Sequence, residues 1–230
     1  GPVIAVTGSS GKTTAKTFLS TAIDAYAPPG SLNNHIGVPL SLANASQDAS
    51  GWVFEVGTSH PGEIAPLTQM VRPDLAMLLN VHNAHIENFP SRAALIEEKC
   101  AIFSTLPEDG MRVSHDELDL SGYRFGLRFD SHARIVALEG NTLHLKLFGE
   151  IVKAHVPGGG AHRALTLAAC LLAAKLLDAD LTAAAALPHD LVPAGRGNIR
   201  HKAGIEIVDD SYNANPASMH AALSAHAAES

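Results

Sequence analysis

The segment rich in glycine near the start of the chain constrains the fold more than any other feature of the sequence. The apolar run Val3-Ile4-Ala5-Val6 predicts a buried strand, and Thr13 to Tyr26 has the pattern of a helix. Between them lies Thr7-Gly8-Ser9-Ser10-Gly11-Lys12. Glycines let backbone N–H groups turn toward phosphate oxygens, and the N-terminus of a helix adds the positive end of its dipole. The order of strand, loop and helix therefore predicts a phosphate-binding loop.

This loop supplies the first candidate binding residues. They are Gly8, Ser10, Gly11, Lys12, Thr13 and Thr14. Lys12 would contact the β- and γ-phosphates of a nucleotide, and the Thr13 hydroxyl would hold Mg²⁺. The general motif has a glycine at the position of Val6, so this loop is a shorter variant that begins at Gly8. The alternative is a plain turn before a helix, with no role in phosphate binding. The Lys-Thr pair that follows the loop at the start of the helix disfavours this alternative.

The remainder of the chain predicts an α/β fold. Further strand patterns occur at 52–56, 75–79 and 205–208, and helix patterns at 61–70, 91–103, 161–177 and 181–186. Strands separated by helices indicate a mostly parallel sheet flanked by helices on both faces. Short alternating strands between 122 and 156 indicate an antiparallel meander. We therefore expect one α/β domain with a small antiparallel β subdomain at about 111–157.

Composition excludes several classes of protein. Hydrophobic residues make up 46% and charged residues 17%, which is typical of a globular chain, and the net charge of −7 opposes binding to nucleic acid. No apolar run approaches the ~20 residues of a membrane span. Cys100 and Cys170 lie in apolar helical stretches and are interpreted as buried free thiols. This usage fits a reducing compartment, so we expect a cytoplasmic protein.

Five segments, in order, resemble the motifs of the Mur ligase family and its relatives, the folylpolyglutamate and cyanophycin synthetases. They are the phosphate-binding loop, Asn33 to Pro39, Glu55 to Ile64, Asn80 to Glu87, and Asp209 to Met219. The last is similar to the signature of the member that adds D-alanyl-D-alanine. The resemblance covers essentially the whole chain. It implies that residues 1–230 form the P-loop NTPase-like central ATP-binding domain of such a ligase.

The chemistry of this family is then an expectation for the chain. ATP phosphorylates a substrate carboxylate to an acyl phosphate, and an amine displaces the phosphate. The resemblance implies addition of D-Ala-D-Ala to UDP-MurNAc-tripeptide in peptidoglycan precursor synthesis, with ATP, the UDP-sugar peptide and the dipeptide as partners. An N-terminal domain for the UDP-sugar and a C-terminal domain for the amine are absent from this sequence. We therefore expect the chain alone to be inactive in ligation.

The resemblance also implies ligands for two Mg²⁺ ions. Thr13 and Glu55 correspond to metal ligands, and His85 corresponds to a ligand of the second ion. Lys99 matches a lysine that many members carry as a carbamate, which turns a cation into an anion able to hold Mg²⁺. The implied catalytic residues are Lys12, His85 and Lys99. Because Ala101 stands where the family usually has glutamate, a helix-face lysine paired with upstream glutamates stays open for Lys99.

Four residues near the end of the chain correspond to nucleotide-binding positions. Arg196 matches an arginine that contacts the ATP phosphates, a task suited to the guanidinium fork. Asp209 matches the residue that binds the ribose hydroxyls. Tyr212 and Asn213 would border the nucleotide.

One segment departs from the family pattern at the position that binds adenine. The family usually has His-Asn-x-x-Asn there, and this chain has His162-Arg163-Ala164-Leu165-Thr166. An amide can both donate to and accept from adenine, whereas arginine only donates. The sequence therefore predicts weak discrimination between ATP and GTP. It also predicts that Arg163→Asn sharpens the preference for ATP.

Two other functions stay open at this point. The departure from the family pattern at the adenine-binding position is compatible with a Mur-like ligase that acts on a different carboxylate, such as a cyanophycin-like or secondary-metabolite substrate. A non-catalytic nucleotide-binding module is the other. The presence of Lys12, Thr13, Glu55 and His85 together disfavours that module.

Overall fold

The computed structural model describes residues 1–82, 86–214, 219–220 and 222–224. In this part of the chain the strands are β1 (Val3–Thr7), β2 (Trp52–Glu55), β3 (Leu75–Leu78), β4 (Met111–His115), β5 (Tyr123–Gly126), β6 (Ala133–Glu139), β7 (Thr142–Leu147), β8 (Glu150–His155), β9 (Asn198–Lys202) and β10 (Ile205–Asp209). The α-helices are α1 (Lys12–Ala22), α2 (Gly37–Ala43), α3 (Ile64–Val71), α4 (Arg92–Cys100), α5 (Ala161–Leu176) and α6 (Leu181–Ala185).

The main sheet has eight strands in the order β2-β1-β3-β4-β5-β6-β7-β8. Neighbouring strands from β2 to β6 are parallel, and β6, β7 and β8 are antiparallel. The predicted α/β class, with a mostly parallel sheet flanked by helices, is confirmed. Of the meander predicted for 122–156, β6, β7 and β8 are antiparallel and extend the parallel sheet directly. The prediction is wrong for β5 in the same range, because β5 is parallel to both of its neighbours. A separate antiparallel hairpin pairs β9 with β10.

The two faces of the sheet are covered by different helices. On one face α1 and α5 pack against alternate residues of β1, Ile4 and Val6. On the other face Ala5 of the same strand belongs to a second core cluster that includes buried residues of α3 and α4. Burial on both faces explains why the β1 sequence is uniformly apolar rather than alternating. No described helix is both long and apolar enough to span a bilayer.

Two element boundaries illustrate what local sequence does and does not determine. Ser91 caps α4 as predicted, since its hydroxyl accepts a hydrogen bond from Ala94 N–H at 3.1 Å. The predicted start of a helix at Pro61 is wrong, because α3 begins at Ile64. Gly62 adopts φ +85°, a left-handed conformation that an α-helix does not admit.

The strand order places the site. β1 lies between β2 and β3 in the sheet. The connection after β1 leads to the strand on one side of it, and the connection after β2 leads to the strand on its other side. In open α/β sheets, ligands bind in the crevice outside the carboxyl ends of the strands where successive connections diverge in this way. The phosphate-binding loop follows β1 at this edge.

Candidate functional site

The phosphate-binding loop is held by a residue that follows β3. Asn80 Oδ1 accepts a hydrogen bond from Ser10 N–H at 3.0 Å, and Asn80 Nδ2 donates to the Ser10 carbonyl at 3.2 Å. Gly11 adopts φ +79°, and a Cβ there would lie 3.2 Å from Thr166 Oγ1, so a side chain is disfavoured by conformation and by space. The loop conformation thus depends on glycine and on a brace supplied by the next strand.

Lys12 lies against this loop at the start of α1. Its Nζ donates a hydrogen bond to the Gly8 carbonyl at 2.8 Å. Burial lowers the pKa of Lys12 from its usual value, and the nearby Arg196 adds to this effect against the attraction of Glu55. An ammonium destabilised in this way gains from an anion beside it. Lys12 is therefore suited to binding a phosphate group.

The Thr13 hydroxyl is the meeting point of three other polar groups. It lies 2.8 Å from Ser31 Oγ and 3.2 Å from Glu55 Oε2, and it accepts a hydrogen bond from Arg196 Nη2 at 2.8 Å. Glu55 is 1% exposed at the end of β2. Residues from three distant parts of the sequence therefore converge beside the loop. The resemblance implied this for Glu55 and Arg196 but not for Ser31.

A buried lysine balances the Glu55 charge. Lys16 Nζ lies 3.3 Å from Glu55 Oε1 and donates hydrogen bonds to the carbonyls of Pro28 and Gly30. Glu55 Oε1 nevertheless accepts no hydrogen bond in the part of the chain that the structure describes. The charge on Oε1 is met by the Lys16 ammonium, whereas Oε2 is the oxygen that lies beside the Thr13 hydroxyl. A carboxylate oxygen beside a threonine hydroxyl fits the oxygen preference of Mg²⁺.

Arg196 enters the site from the loop before β9. Its guanidinium lies 4.0 Å from the centre of the Tyr212 ring and donates to the hydroxyls of Thr13 and Ser31. A guanidinium over an aromatic face is stabilised by the ring quadrupole. The predicted pair Arg196 and Tyr212 is thus brought to the phosphate-binding loop.

Asp209 lies at the end of β10 and contacts residues of its own hairpin. Its Oδ1 accepts hydrogen bonds from the Ser211 hydroxyl and backbone N–H, at 2.6 and 3.3 Å, and its Oδ2 lies 3.5 Å from Arg200. These hydrogen bonds and the nearby Arg200 lower the pKa of Asp209, against a small opposing effect of burial. The neighbouring Asp210 lines the cleft. The assignment of ribose binding to Asp209 therefore stays a prediction.

The cleft formed by these elements has a volume of about 680 Å³. Of the predicted nucleotide-binding residues, those that line it are Ser10, Gly11, Lys12, Thr13, Thr14, Arg196, Tyr212 and Asn213. The loop Thr58-Ser59-His60 and Glu63 form another part of its wall. Glu63 Oε2 accepts hydrogen bonds from the backbone N–H groups of Ser59 and His60, which fixes this wall.

Lys99 is buried in α4, at 3% exposure. It forms no ion pair with any carboxylate that the structure describes, so the alternative of a surface lysine paired with upstream glutamates loses its support. Burial, helped by the nearby Lys12 charge and opposed by Glu98, lowers the pKa of Lys99 to about 7. Its amine is therefore neutral in a large fraction of molecules near neutral pH, as reaction with CO₂ requires. His85 lies outside the described residues, so its expected role as a ligand stays a prediction.

Several residues at the site had no assigned role in the sequence. They are Lys16, Ser31 and Asn80, whereas Arg163 was predicted only to weaken discrimination between bases. Lys16 follows Lys12 by one helical turn, and Asn80 is the first residue of one of the family-like segments. Both positions could therefore have been recognised in the sequence as candidate site residues. Lys16 and Asn80 bind backbone groups of other segments, and Ser31 contacts side chains of other segments, so residue spacing does not reveal these roles.

Comparisons with known proteins agree with this geometry. The family model "Mur ligase middle domain" matches residues 6–171. UDP-N-acetylmuramoyl-tripeptide--D-alanyl-D-alanine ligase of Escherichia coli is 33% identical over 243 residues, covering 96% of this chain and 54% of that protein. The Rickettsia prowazekii protein of the same name is 30% identical, with 96% and 54% coverage. The chain thus spans about half the length of these curated relatives.

A solved structure shares the fold over nearly the whole chain. The MurF ligase of Thermotoga maritima in complex with ADP superposes with a TM-score of 0.85 at 31% identity, covering 97% of this chain and 56% of that one. Since the family model matches well over half of the residues, this chain belongs to the Mur ligase family, of which it contains the middle domain.

Proposed function

We propose that this chain is the ATP-binding part of a ligase that joins D-alanyl-D-alanine to a UDP-N-acetylmuramoyl-tripeptide. The observation that carries the proposal is the convergence of Lys12, Thr13, Glu55 and Arg196 at one loop. The names of the curated relatives supply the two substrates. The proposal includes the division expected from the sequence, a central domain over 1–230 with a β subdomain at about 111–157.

The residues around the loop suit a nucleoside triphosphate. Lys12 and Arg196 bring two cations to the same cleft, where the charge of a triphosphate is greatest. The backbone N–H groups at the start of α1 add a further positive end. In a partly buried cleft, fixed donors of this kind stabilise the charge that shifts between oxygens during phosphoryl transfer.

Thr13 and Glu55 are the residues that would hold Mg²⁺. The Thr13 hydroxyl lies 3.2 Å from Glu55 Oε2, and the second oxygen, Oε1, accepts no hydrogen bond in the described chain but is ion-paired with Lys16 at 3.3 Å. When bound, Mg²⁺ would neutralise phosphate charge and act as a Lewis acid toward the γ-phosphoryl group. We assign a second ion to His85 and to the carbamate of Lys99 as a proposal that rests on the family resemblance.

The proposed reaction has two steps. A carboxylate oxygen of the tripeptide attacks the γ-phosphorus of ATP, the bond to the β-phosphate oxygen breaks, and ADP leaves. The dipeptide amine then attacks the carbonyl carbon, loses a proton, and expels inorganic phosphate to form the amide. In both steps the part of this chain is to position the phosphates and to offset their charge.

The other functions have less support. The argument for a different carboxylate substrate relied on the departure at Arg163, and the contacts of Arg163 described below explain that residue in another way. A non-catalytic module has no need of a buried carboxylate beside the Thr13 hydroxyl, or of a buried lysine whose pKa is about 7.

A fusion protein tests whether this chain supports catalysis. Residues 1–230 would replace the corresponding part of the Escherichia coli relative, and the fusion would receive UDP-MurNAc-tripeptide, D-Ala-D-Ala and Mg·ATP. We expect ADP release and a pentapeptide product by mass spectrometry, with both lost in the matched Lys12→Ala fusion. A fusion that binds Mg·ATP in calorimetry but forms no product would contradict the ligase function and favour a nucleotide-binding module.

A further inference from the structure

Arg163 occupies a position that is unfavourable for an arginine. It lies in the first turn of α5, where a cation meets the positive end of the helix dipole. Its side chain is also buried, with 7% of the residue exposed. A buried cation at a helix N-terminus requires strong compensation from hydrogen-bond acceptors. The contacts of the guanidinium provide it.

The guanidinium joins two loops through backbone carbonyls. Nη1 donates to the carbonyls of Gly158 and Gly159 at 2.7 and 3.1 Å. Nη2 donates to the carbonyl of Arg196 at 2.6 Å, across 33 residues of sequence. The rigid fork of an arginine suits this arrangement, because its donors point at fixed angles toward separate acceptors.

The loop around Arg196 is shaped to admit this side chain. Gly197 adopts φ +88°, and a Cβ at this position would lie 2.0 Å from Arg163 Nη2. The same loop is held from its other side, where Gly197 N–H donates to the Asp209 carbonyl at 2.8 Å and Tyr212 N–H donates to the Gly195 carbonyl at 3.0 Å. Glycine is therefore required at 197 both for the turn and for close approach of Arg163.

The restrained carbonyl and the Arg196 side chain belong to one residue. The Arg196 guanidinium reaches Thr13 Oγ1 at 2.8 Å and lies over the Tyr212 ring. Fixing the backbone of Arg196 thus limits the positions that its guanidinium can occupy beside the phosphate-binding loop.

We propose that Arg163 is a positioning residue for Arg196, holding the loop from which Arg196 contacts the nucleotide phosphates. The phosphate contact rests on the proposed function, whereas the positioning does not. The residue at the position where the family has an adenine-binding asparagine would thus act on the phosphate end of the site.

Arginine side-chain NMR tests the positioning without a nucleotide. The Arg196 Nε–H signal, assigned with Arg196→Lys, should carry a ring-current shift from Tyr212. We expect Arg163→Met to remove this shift and Arg163→Lys to restore it only in part. Gly197→Ala approaches the same contact from the loop and should also remove the shift. Arg124→Met, which removes an arginine paired with Asp130 in the β4–β6 region, is the matched control and should leave it unchanged.

Titration with Mg·ATP tests the consequence. Arg196→Met and Arg163→Met should each weaken binding about tenfold, which corresponds to about 1.4 kcal/mol. The double variant should bind no more weakly than the weaker single variant, because both changes remove the same contact. An Arg196 signal that is unchanged in folded Arg163→Met, or losses that add fully in the double variant, would overturn the proposal. If the NMR shift disappears but Arg196→Met binds Mg·ATP normally, positioning stands and the proposed phosphate contact fails.

Discussion

The Thr13 hydroxyl and Glu55 Oε2 lie 3.2 Å apart, although 42 residues separate them in the sequence. The parallel pairing of β1 with β2 brings them together, since Val6 pairs with Glu55 and Thr13 follows β1 by the length of the phosphate-binding loop. Their oxygens thereby form a small acidic site beside Lys12. Its charge is balanced by Lys16, which is buried behind it.

Replacement of Glu55 tests the metal site. Glu55→Gln keeps the shape of the side chain and removes its charge, so the gain in ATP affinity that Mg²⁺ provides should be smaller by about tenfold, which corresponds to about 1.4 kcal/mol. Calorimetry with and without Mg²⁺ measures the difference.

The same substitution leaves Lys16 buried without its carboxylate, which destabilises folded proteins. The double variant Glu55→Gln with Lys16→Met removes that charge and keeps the test interpretable, and Glu139→Gln on an exposed strand end is the control. A full Mg²⁺ effect in the double variant would contradict the assignment of Glu55.

Replacement of Lys12 tests the phosphate-binding loop. Lys12→Ala should weaken Mg·ATP binding by at least ~2 kcal/mol, in the range for loss of a charged hydrogen-bonding partner. Lys153→Ala, on the exposed side of β8, should leave the affinity unchanged. Equal affinities of the Lys12 variant and the unmodified chain, by calorimetry, would show that the loop does not bind phosphate through this lysine.

The reactivity of Lys99 should depend on pH. Its pKa of about 7 lies below that of an ordinary lysine, and only the neutral amine attacks CO₂. A carbamate carbon signal should therefore appear in ¹³C NMR with labelled bicarbonate and grow as the pH rises through about 7. Lys99→Arg should remove it, and Lys175→Arg on the exposed end of α5 should not. A spectrum that Lys99→Arg does not alter would exclude the carbamate.

Base selectivity should be weak, with GTP binding within about tenfold of ATP. The structure changes the expected effect of Arg163→Asn, because the guanidinium binds backbone carbonyls of two loops. This substitution should weaken ATP and GTP binding together rather than sharpen the preference for ATP. Competition between the two nucleotides measures both effects. Strong ATP preference in the unmodified chain would mean that another group recognises the base.

A carboxylate on α4 should stabilise the start of α3. Glu98 accepts hydrogen bonds from Gly62 N–H and Ile64 N–H at 2.7 and 2.8 Å, which satisfies two donors at that helix end. Glu98→Ala should lower the free energy of unfolding by about 1–2 kcal/mol, as for loss of a helix cap. Glu97→Ala, exposed on the same helix, should change it by less than about 0.5 kcal/mol. Urea denaturation of the two variants gives the comparison.

Short segments of sequence were sufficient for the parts of this protein that local chemistry controls. The strand at Val3, the glycine loop and Lys12 follow from a few adjacent residues, because strand, turn and helix N-terminus each impose requirements on neighbours in the chain. The cap at Ser91 follows for the same reason. The alternation of strands and helices was enough to predict a mostly parallel sheet.

Tertiary structure decided the remaining features, and each of them involves groups far apart in sequence. Lys16 lies on α1, whereas its charge partner Glu55 lies on β2. The hydrogen-bond acceptors of Arg163 are backbone carbonyl groups, which every residue has and which therefore leave no trace in sequence. Comparison of the sequence with the family pattern suggested that Arg163 replaces a residue that contacts the base. Folding of α5 against the loop before β9 instead brings its guanidinium to the Arg196 backbone, because a buried cation must find acceptors wherever the fold supplies them.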